Sequence, residues 1–171
     1  YKGRCVFRGD QTRDESGFYA VFSEQGTSAS HSSAAKFLDA IGRFPGCSGA
    51  DADATSAYTQ VILANMKDDH NVQTWISLPK GRRPDSWDKM HDPVCLLERN
   101  LYGHPLAGLL WEKHSNRILL SLGFEHIQGW ECLFVRREKK LVLSVYVDDY
   151  KMAGDAKNLK AMWKEIRTKI D

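Results

Sequence analysis

Two adjacent aspartates, Asp148 and Asp149, follow an apolar run in the stretch "LVLSVYVDDYKMAG" at residues 141–154. Like charges in contact cost free energy unless water, a proton or a cation relieves them. A third carboxylate, Asp53, ends another strand-like run, and together the three would form an oxygen-rich site suited to magnesium. Two such ions about 4 Å apart serve in-line phosphoryl transfer. The residue types therefore suggest a metal site for phosphate chemistry.

The same aspartates also have a purely structural interpretation. Asp-Asp is common in turns, and Asp53 can cap a helix that begins after it. In an extended strand Asp148 shares a face with Tyr146, whereas Asp149 points to the opposite face. Both carboxylates can face one spot only if a tight turn intervenes, so the pair alone leaves the two interpretations open.

The elements nearest the aspartates are predicted to be antiparallel strands followed by a helix. Residues 131–147 are typical of two strands joined by a charged turn, which indicates a hairpin. After the aspartates, Asp155 is a candidate N-cap for a helix with one apolar face. The apolar stripe of that helix consists of Leu159, Met162, Trp163, Ile166 and Ile170.

The amino-terminal part of the chain contains a predicted strand and a predicted helix. Residues 1–10 alternate in the manner of a strand with a mostly cationic face. A helix is predicted from Ser32 or Ser33, and Gly42 or Pro45 would end it. The intervening residues are rich in polar and small side chains, which is typical of a loop.

The middle of the chain mixes short elements of both kinds. Residues 55–64 are compatible with a helix, residues 72–78 predict a strand, and residues 79–88 predict a basic loop. A longer helix is predicted over residues 106–122, with Gly123 at its end. This mixture of hairpins and separate helices predicts an α+β fold, with an antiparallel sheet and helices packed on one side.

The overall composition is that of one folded domain. The chain has 171 residues, of which 42% are hydrophobic and 27% charged, and this excludes the disordered class. Lysine and arginine number 24 against 22 acidic residues, so net charge alone does not indicate nucleic-acid binding. The four cysteines are widely spaced, which argues against a zinc site. No run of about 20 apolar residues is present, so we expect a soluble protein with no membrane association.

Four stretches, in order along the chain, resemble the copia-type retrotransposon reverse transcriptases. The stretch "YKGRCVFRG" resembles that family's "YKARLVAKG", and "DATSAY" resembles its "DVKTAF". Further on, "LYGHPLAG" is similar to "LYGLKQAP", and "YVDDYKMAG" to "YVDDMLIAG". The stretches "WISLPKG", "SLGFEH" and "CLFV" also fall at family-like intervals. Four matches in sequence are far more specific than one, and they cover nearly the whole chain.

The resemblance implies the right-hand polymerase fold. Residues 1–171 would form a single fragment of fingers and palm, with the thumb and RNase H absent. Three carboxylates of this family hold two Mg²⁺ ions during template-directed DNA synthesis, and Mn²⁺ is expected to substitute for them. By position these carboxylates are Asp53, Asp148 and Asp149, with the first two as the expected direct ligands.

Other positions match nucleotide-binding residues of the family. By this resemblance they are Lys2, Arg4, Tyr58, Tyr102 and Gly103. Tyr58 would lie beneath the sugar, where its ring excludes a ribose 2′-hydroxyl and selects deoxynucleotides. The basic residues would neutralise the incoming triphosphate or the template backbone. The structural alternatives are a core aromatic for Tyr58 and a solvated edge strand for the basic residues.

Two further residues are expected at the primer and template. Arg8 continues the basic face of the first predicted strand, and Tyr146 precedes the acidic pair. By the resemblance, Arg8 would contact the nucleic acid and Tyr146 would line the primer terminus. Either residue also has an ordinary structural interpretation, since Tyr146 can simply pack.

The chain departs from the family pattern near the nucleotide. Pro105 and Leu106 stand where the family has Lys-Gln, and Gly108 and Leu109 stand where it has Pro-Arg. Thr55 replaces a lysine two places after the first aspartate. These departures remove polar contacts and leave the three carboxylates intact.

The resemblance implies an RNA- or DNA-directed DNA polymerase. Its partners would be a template with a primer, a dNTP, and the remainder of a Pol polyprotein, in a cytoplasmic particle or the nucleus. Alone, the fragment is expected to synthesise DNA weakly. One alternative is a decayed or repurposed palm module that binds nucleic acid or a protein partner without catalysis, which Pro105 and Leu106 favour. Another is a metal-dependent nuclease, against which the lack of a placed His or Glu base argues.

Overall fold

The computed structural model describes residues 5–14, 16–20, 32–66 and 73–171. The helices are α1 (Ser32–Ile41), α2 (Ala57–Gln60), α3 (Ala107–Ser121) and α4 (Ala156–Arg167). The strands are β1 (Cys47–Asp53), β2 (Trp75–Ile76), β3 (Cys95–Leu96), β4 (Glu125–Ile127), β5 (Trp130–Arg136), β6 (Leu141–Tyr146) and β7 (Asp149–Asp155).

A five-stranded antiparallel sheet is the main structural element. Its strand order is β1-β7-β6-β5-β4, so β1, which is distant in sequence, pairs directly with β7. The register places Asp53 opposite Asp149, and Tyr146 opposite Asp149 from the other side. The predicted α+β class with an antiparallel sheet is confirmed.

The larger hydrophobic core lies on one face of this sheet. Leu143, Tyr150 and Met152 point from the central strands toward α3 and α4. The prediction that helices pack on one side therefore holds for α2, α3 and α4. It does not hold for α1, because Leu38 of this helix packs against Ala153 in a second cluster. Ala153 is adjacent to Met152 in β7, so its side chain points to the opposite face of the sheet.

The best-formed elements have clear local causes. Asp155 caps α4 as predicted, since its carboxylate accepts a hydrogen bond of 3.0 Å from the backbone N–H of Lys157. Gly123 follows α3 with a φ of 79°, a conformation that glycine adopts without steric cost. The charged hairpin turn is a 3₁₀ turn over Arg137–Lys139. Arg136 ties this turn to α4 through a 3.0 Å ion pair with Glu165.

Residues 5–14, 16–20 and 73–106, here called the loop region, have little regular structure. Residues 5–10 do not form the predicted strand over residues 1–10, and a 3₁₀ turn begins at Gly9. The reason is that the backbone of Phe7 is hydrogen-bonded to the loop at Tyr102 and not to a strand. The predicted strand over residues 72–78 shrinks to the two residues of β2. The remaining described residues, 32–66 and 107–171, are here called the sheet region.

The helix expected over residues 55–64 is interrupted. Only Ala57–Gln60 are α-helical, and Leu63–Met66 form a separate 3₁₀ turn. The break occurs because Leu63 donates its backbone N–H to Glu98, a bond to another segment that replaces a bond within the helix. The helices in the described part of the chain are all too short or too polar to span a bilayer.

Candidate metal centre

The structure brings Asp53, Asp148 and Asp149 together. One carboxylate oxygen of each lies within 4.8 Å of the others. Asp53 is the last residue of β1 and Asp149 is the first of β7, and the two are paired across the sheet. Asp148 belongs to the tight turn between β6 and β7. The cluster therefore depends on the register of strands from different parts of the sequence.

The turn that carries Asp148 has an unusual backbone conformation. Val147 adopts a φ of 55°, which is a rare conformation for a β-branched residue. Two hydrogen bonds hold this turn. The indole N–H of Trp111 donates to the Val147 carbonyl at 2.6 Å, and the backbone N–H of Ala54 donates to the Asp148 carbonyl at 2.8 Å. The second bond links the turn directly to the residue after Asp53.

The side chains beside the cluster form two rows across the sheet. Tyr146, Asp149 and Asp53 occupy the first row, on the face opposite the larger core, and Tyr146 is 47% exposed. In the next row, Lys151 forms ion pairs of 2.6 Å with Asp39 in α1 and 3.7 Å with Asp51. The ammonium group of Lys151 is thus paired with the carboxylates of Asp39 and Asp51.

The electrostatics of the cluster favour a cation. Burial and the neighbouring carboxylates of Asp148, Asp53 and Asp51 raise the pKa of Asp149. A bound cation would remove this repulsion, and three hard carboxylate oxygens are the donors that Mg²⁺ and Mn²⁺ prefer. The donor set therefore fits a divalent cation.

Two tyrosines predicted to bind the nucleotide lie next to the cluster. The rings of Tyr58 and Tyr102 are in contact, with centroids 4.7 Å apart. Burial raises the pKa of the Tyr58 hydroxyl, and the Asp148 carboxylate raises it further. The effect of the Asp148 charge on Tyr58 means that this side chain of α2 lies near the acidic turn. The ring of Tyr102 lies beside it.

The loop that contains Tyr102 is packed against the amino-terminal segment. Gly103 has a φ of 88°, and a Cβ atom there would overlap the carbonyl oxygen of Phe7, so glycine is required for this approach. The backbone N–H of Phe7 donates to the Tyr102 carbonyl at 2.7 Å. Arg8 is exposed and forms a 3.1 Å ion pair with Asp10. Lys2 and Arg4 lie outside the described residues.

The residues that depart from the family pattern have structural roles here. Leu106 and Leu109 are buried in the larger core, so apolar packing occupies positions where polar side chains were expected. The exposed Thr55 donates its backbone N–H to the Asp171 carbonyl at 2.7 Å. These substitutions thus join the site to the core and to the carboxyl-terminal segment.

Sequence reasoning missed several residues that support the acidic turn. Trp111 lies within the helix predicted over residues 106–122, but nothing in the sequence pattern indicates its bond to Val147. Ser115, one helical turn further, shares a 2.6 Å hydrogen bond with the hydroxyl of Tyr150. Lys151 was also overlooked. The only available signal was spacing, since Trp111 and Ser115 are four residues apart and so lie on one face of α3.

Comparison with known families gives one match. The family model described as "Reverse transcriptase (RNA-dependent DNA polymerase)" matches residues 1–171, the entire chain. Neither the curated proteins nor the solved structures yielded a match.

Proposed function

Since the chain belongs to the reverse transcriptase (RNA-dependent DNA polymerase) family, we propose that it is the fingers and palm part of a copia-type enzyme. In this proposal it adds deoxynucleotides to a primer 3′-hydroxyl by a two-magnesium mechanism. Its partners are a template with its primer, a dNTP and the remainder of a Pol polyprotein. The observation that carries the proposal is the convergence of three carboxylates within 4.8 Å.

Asp53 and Asp148 are proposed to hold both ions directly, with Asp149 completing the acidic cluster. Bound Mg²⁺ supplies activation of the 3′-hydroxyl and neutralisation of the charge on the departing pyrophosphate. The chain contributes orientation, because Asp53 ends β1 and the turn between β6 and β7 is bonded to Ala54. A polymerase of this kind needs little covalent chemistry from the protein beyond positioning and charge stabilisation.

The aromatic residues beside the cluster are proposed to select and position the substrates. Tyr58, in contact with Tyr102, would lie against the sugar and exclude a 2′-hydroxyl. Tyr146 shares a row with Asp149 and Asp53, so it would contact the primer terminus. Arg8, and with it Lys2 and Arg4, would neutralise phosphate charge.

The test is single-nucleotide incorporation with the chain in excess over a labelled primer-template, so that weak binding does not hide chemistry. We expect Mg²⁺-dependent extension that falls by about a thousandfold or more in Asp148→Asn, since the carboxylate acts on the reacting groups. Asp51→Asn is the matched control, because it removes the same charge two residues before Asp53 on β1. It should retain most of the activity.

The other candidate functions give different results in the same experiment. Binding of primer-template without extension, under Mg²⁺ or Mn²⁺, would favour the non-catalytic palm module and contradict the proposal. Its specific support is the buried position of Leu106 and Leu109, where the family has polar residues. Strand cleavage that disappears in Asp148→Asn would instead identify a nuclease.

A further inference from the structure

Trp111 connects helix α3 to the acidic turn. Its side chain is 2% exposed, and its indole N–H donates to the Val147 carbonyl at 2.6 Å. This carbonyl belongs to the residue that immediately precedes Asp148. The bond joins residues 36 positions apart in the sequence, so it fixes the turn relative to the core.

The turn needs such support because its conformation is costly. A non-glycine residue at the positive φ of Val147 costs about 1–3 kcal/mol, and it persists only where the surroundings determine it. A valine with a free choice of conformation would leave this region, since its branched Cβ crowds the backbone. Release of the turn would move the Asp148 carboxylate away from Asp53.

Helix α3 also contacts the chain on the other side of the acidic pair. Ser115 shares a 2.6 Å hydrogen bond with the hydroxyl of Tyr150, the residue after Asp149. The cavity lined by Trp111, Ser115 and Val147 has a volume of only about 20 Å³, which is room for one water molecule. Helix α3 thus contacts the chain on both sides of the acidic pair through side-chain hydrogen bonds.

We propose that Trp111 is a positioning residue, whose indole N–H holds the Val147 turn in the conformation that aligns Asp148 and Asp149 for cation binding. The inference rests on the proposed function for its metal site. It goes further because it proposes that Trp111, an uncharged residue of the core, determines the geometry of that site.

The test compares Trp111→Phe with Trp163→Phe. Both tryptophans are buried in the same hydrophobic core, but the Trp163 indole N–H has no hydrogen-bond partner among the described residues. Each substitution therefore removes a similar volume, and only the first removes a bond to the turn. Mn²⁺ affinity is measured by electron paramagnetic resonance on the intact chain. We expect about tenfold weaker binding in Trp111→Phe, as for other groups that orient metal ligands, and wild-type affinity in Trp163→Phe.

Nuclear magnetic resonance of the metal-free chain provides a second readout. The backbone amide signals of Asp148 and Asp149 should shift in Trp111→Phe and stay in place in Trp163→Phe. If Trp111→Phe does not fold, the wild-type spectrum decides instead. Addition of Mg²⁺ should then move the indole signal of Trp111 more than that of Trp163.

The outcomes separate this inference from the proposed function. Equal loss of Mn²⁺ affinity in both variants, or wild-type affinity in Trp111→Phe, would overturn the role of Trp111. A wild-type chain that binds no Mn²⁺ would refute the metal site. In that case the amide signals of Asp148 and Asp149 in Trp111→Phe would decide the role of Trp111. Unchanged signals would show that Trp111 does not hold the turn, and shifted signals would support that it does.

Discussion

The sheet region and the loop region each carry part of the candidate site, but their backbones are held in different ways. In the sheet region, β1 pairs with β7 over seven consecutive residues, and the three aspartates lie at the end of this ladder. In the loop region, β2 and β3 pair over only two residues. Tyr102 and Gly103 are positioned there by a few separate contacts, such as the bond from Phe7.

The two regions also differ in how they bury apolar side chains. Leu143 and Met152 of the sheet region are fully buried. Phe18, Trp75 and Leu96 of the loop region are exposed. Burial supplies most of the favourable free energy of folding, so the loop region contributes less to stability. The three carboxylates of the candidate metal centre are therefore on the more stable part of the molecule, and the proposed substrate contacts are partly on the less stable part.

Two glycine substitutions compare the regions most directly and should have the largest effect. A Cβ at Gly154 would overlap the carbonyl oxygen of Lys140, and one at Gly103 would overlap that of Phe7. Both glycines have positive φ. We expect Gly154→Ala to lower the free energy of unfolding by about 4 kcal/mol, since Gly154 pairs with Leu141 and the adjoining Lys140 carbonyl cannot move away without disturbing that ladder.

Gly103→Ala should cost only about 1 kcal/mol of global stability, because residues 5–9 can detach. Urea unfolding measures both variants, and hydrogen exchange at Phe7 should increase in Gly103→Ala alone. Equal loss of stability in the two variants would contradict the difference between the regions.

A pair of leucine truncations gives the next largest effect. Leu143 in β6 is 0% exposed, whereas Leu96 in β3 is 44% exposed. Leu143→Ala should lower the free energy of unfolding by about 3 kcal/mol, because it removes buried surface and leaves a cavity. Leu96→Ala should change it by less than about 0.5 kcal/mol. The measurement is urea unfolding with an unchanged dependence on denaturant, and a comparable cost at both positions would show that the loop region is packed as firmly as the sheet.

The pH dependence of the loop region should give the smallest effect. Burial lowers the pKa of His104 below its ordinary value of 6.5. The His104 Nδ1 accepts a hydrogen bond from the Leu106 N–H at 3.2 Å, and protonation would abolish it. The stabilisation by neutral His104 is therefore complete above its unfolded pKa and is lost as the pH falls through the lower folded value.

Between about pH 7.5 and about pH 5.5, we expect a loss under about 1 kcal/mol, seen as faster hydrogen exchange over residues 101–106. His104→Asn should remove this dependence, since the amide oxygen accepts the same bond and does not titrate there. The exposed His91→Asn is the control and should preserve the dependence. A pH response that persists in His104→Asn would assign it to another group.

Much of the local structure could be predicted from residue patterns. The α4 helix with its Asp155 cap, the hairpin of β5 and β6, and the end of α3 at Gly123 were all correct, because each depends on residues close together in sequence. The failures lie where another segment decides the conformation. Residues 5–10 do not form a strand, because Phe7 bonds to the Tyr102 carbonyl.

The candidate site divides in the same way. The identity of the three carboxylates could be proposed from Asp53 and the adjacent pair together with the family resemblance. Their approach required the register of β1 with β7, and the conformation of the turn required the bond from Trp111. Neither contact joins neighbours in sequence, so no periodicity could reveal it.

The amino-acid sequence by itself determined which chemical groups this protein offers and which local elements carry them, since caps, turns and apolar periodicity act over a few residues. Only the tertiary structure decided that β1 lies beside β7, that α1 covers the second face, and that Trp111 reaches the acidic turn. The physical reason is that strand pairing and side-chain packing over long separations depend on the whole folded chain. Caps, turns and apolar periodicity do not depend on those long-range contacts, so they cannot reveal them.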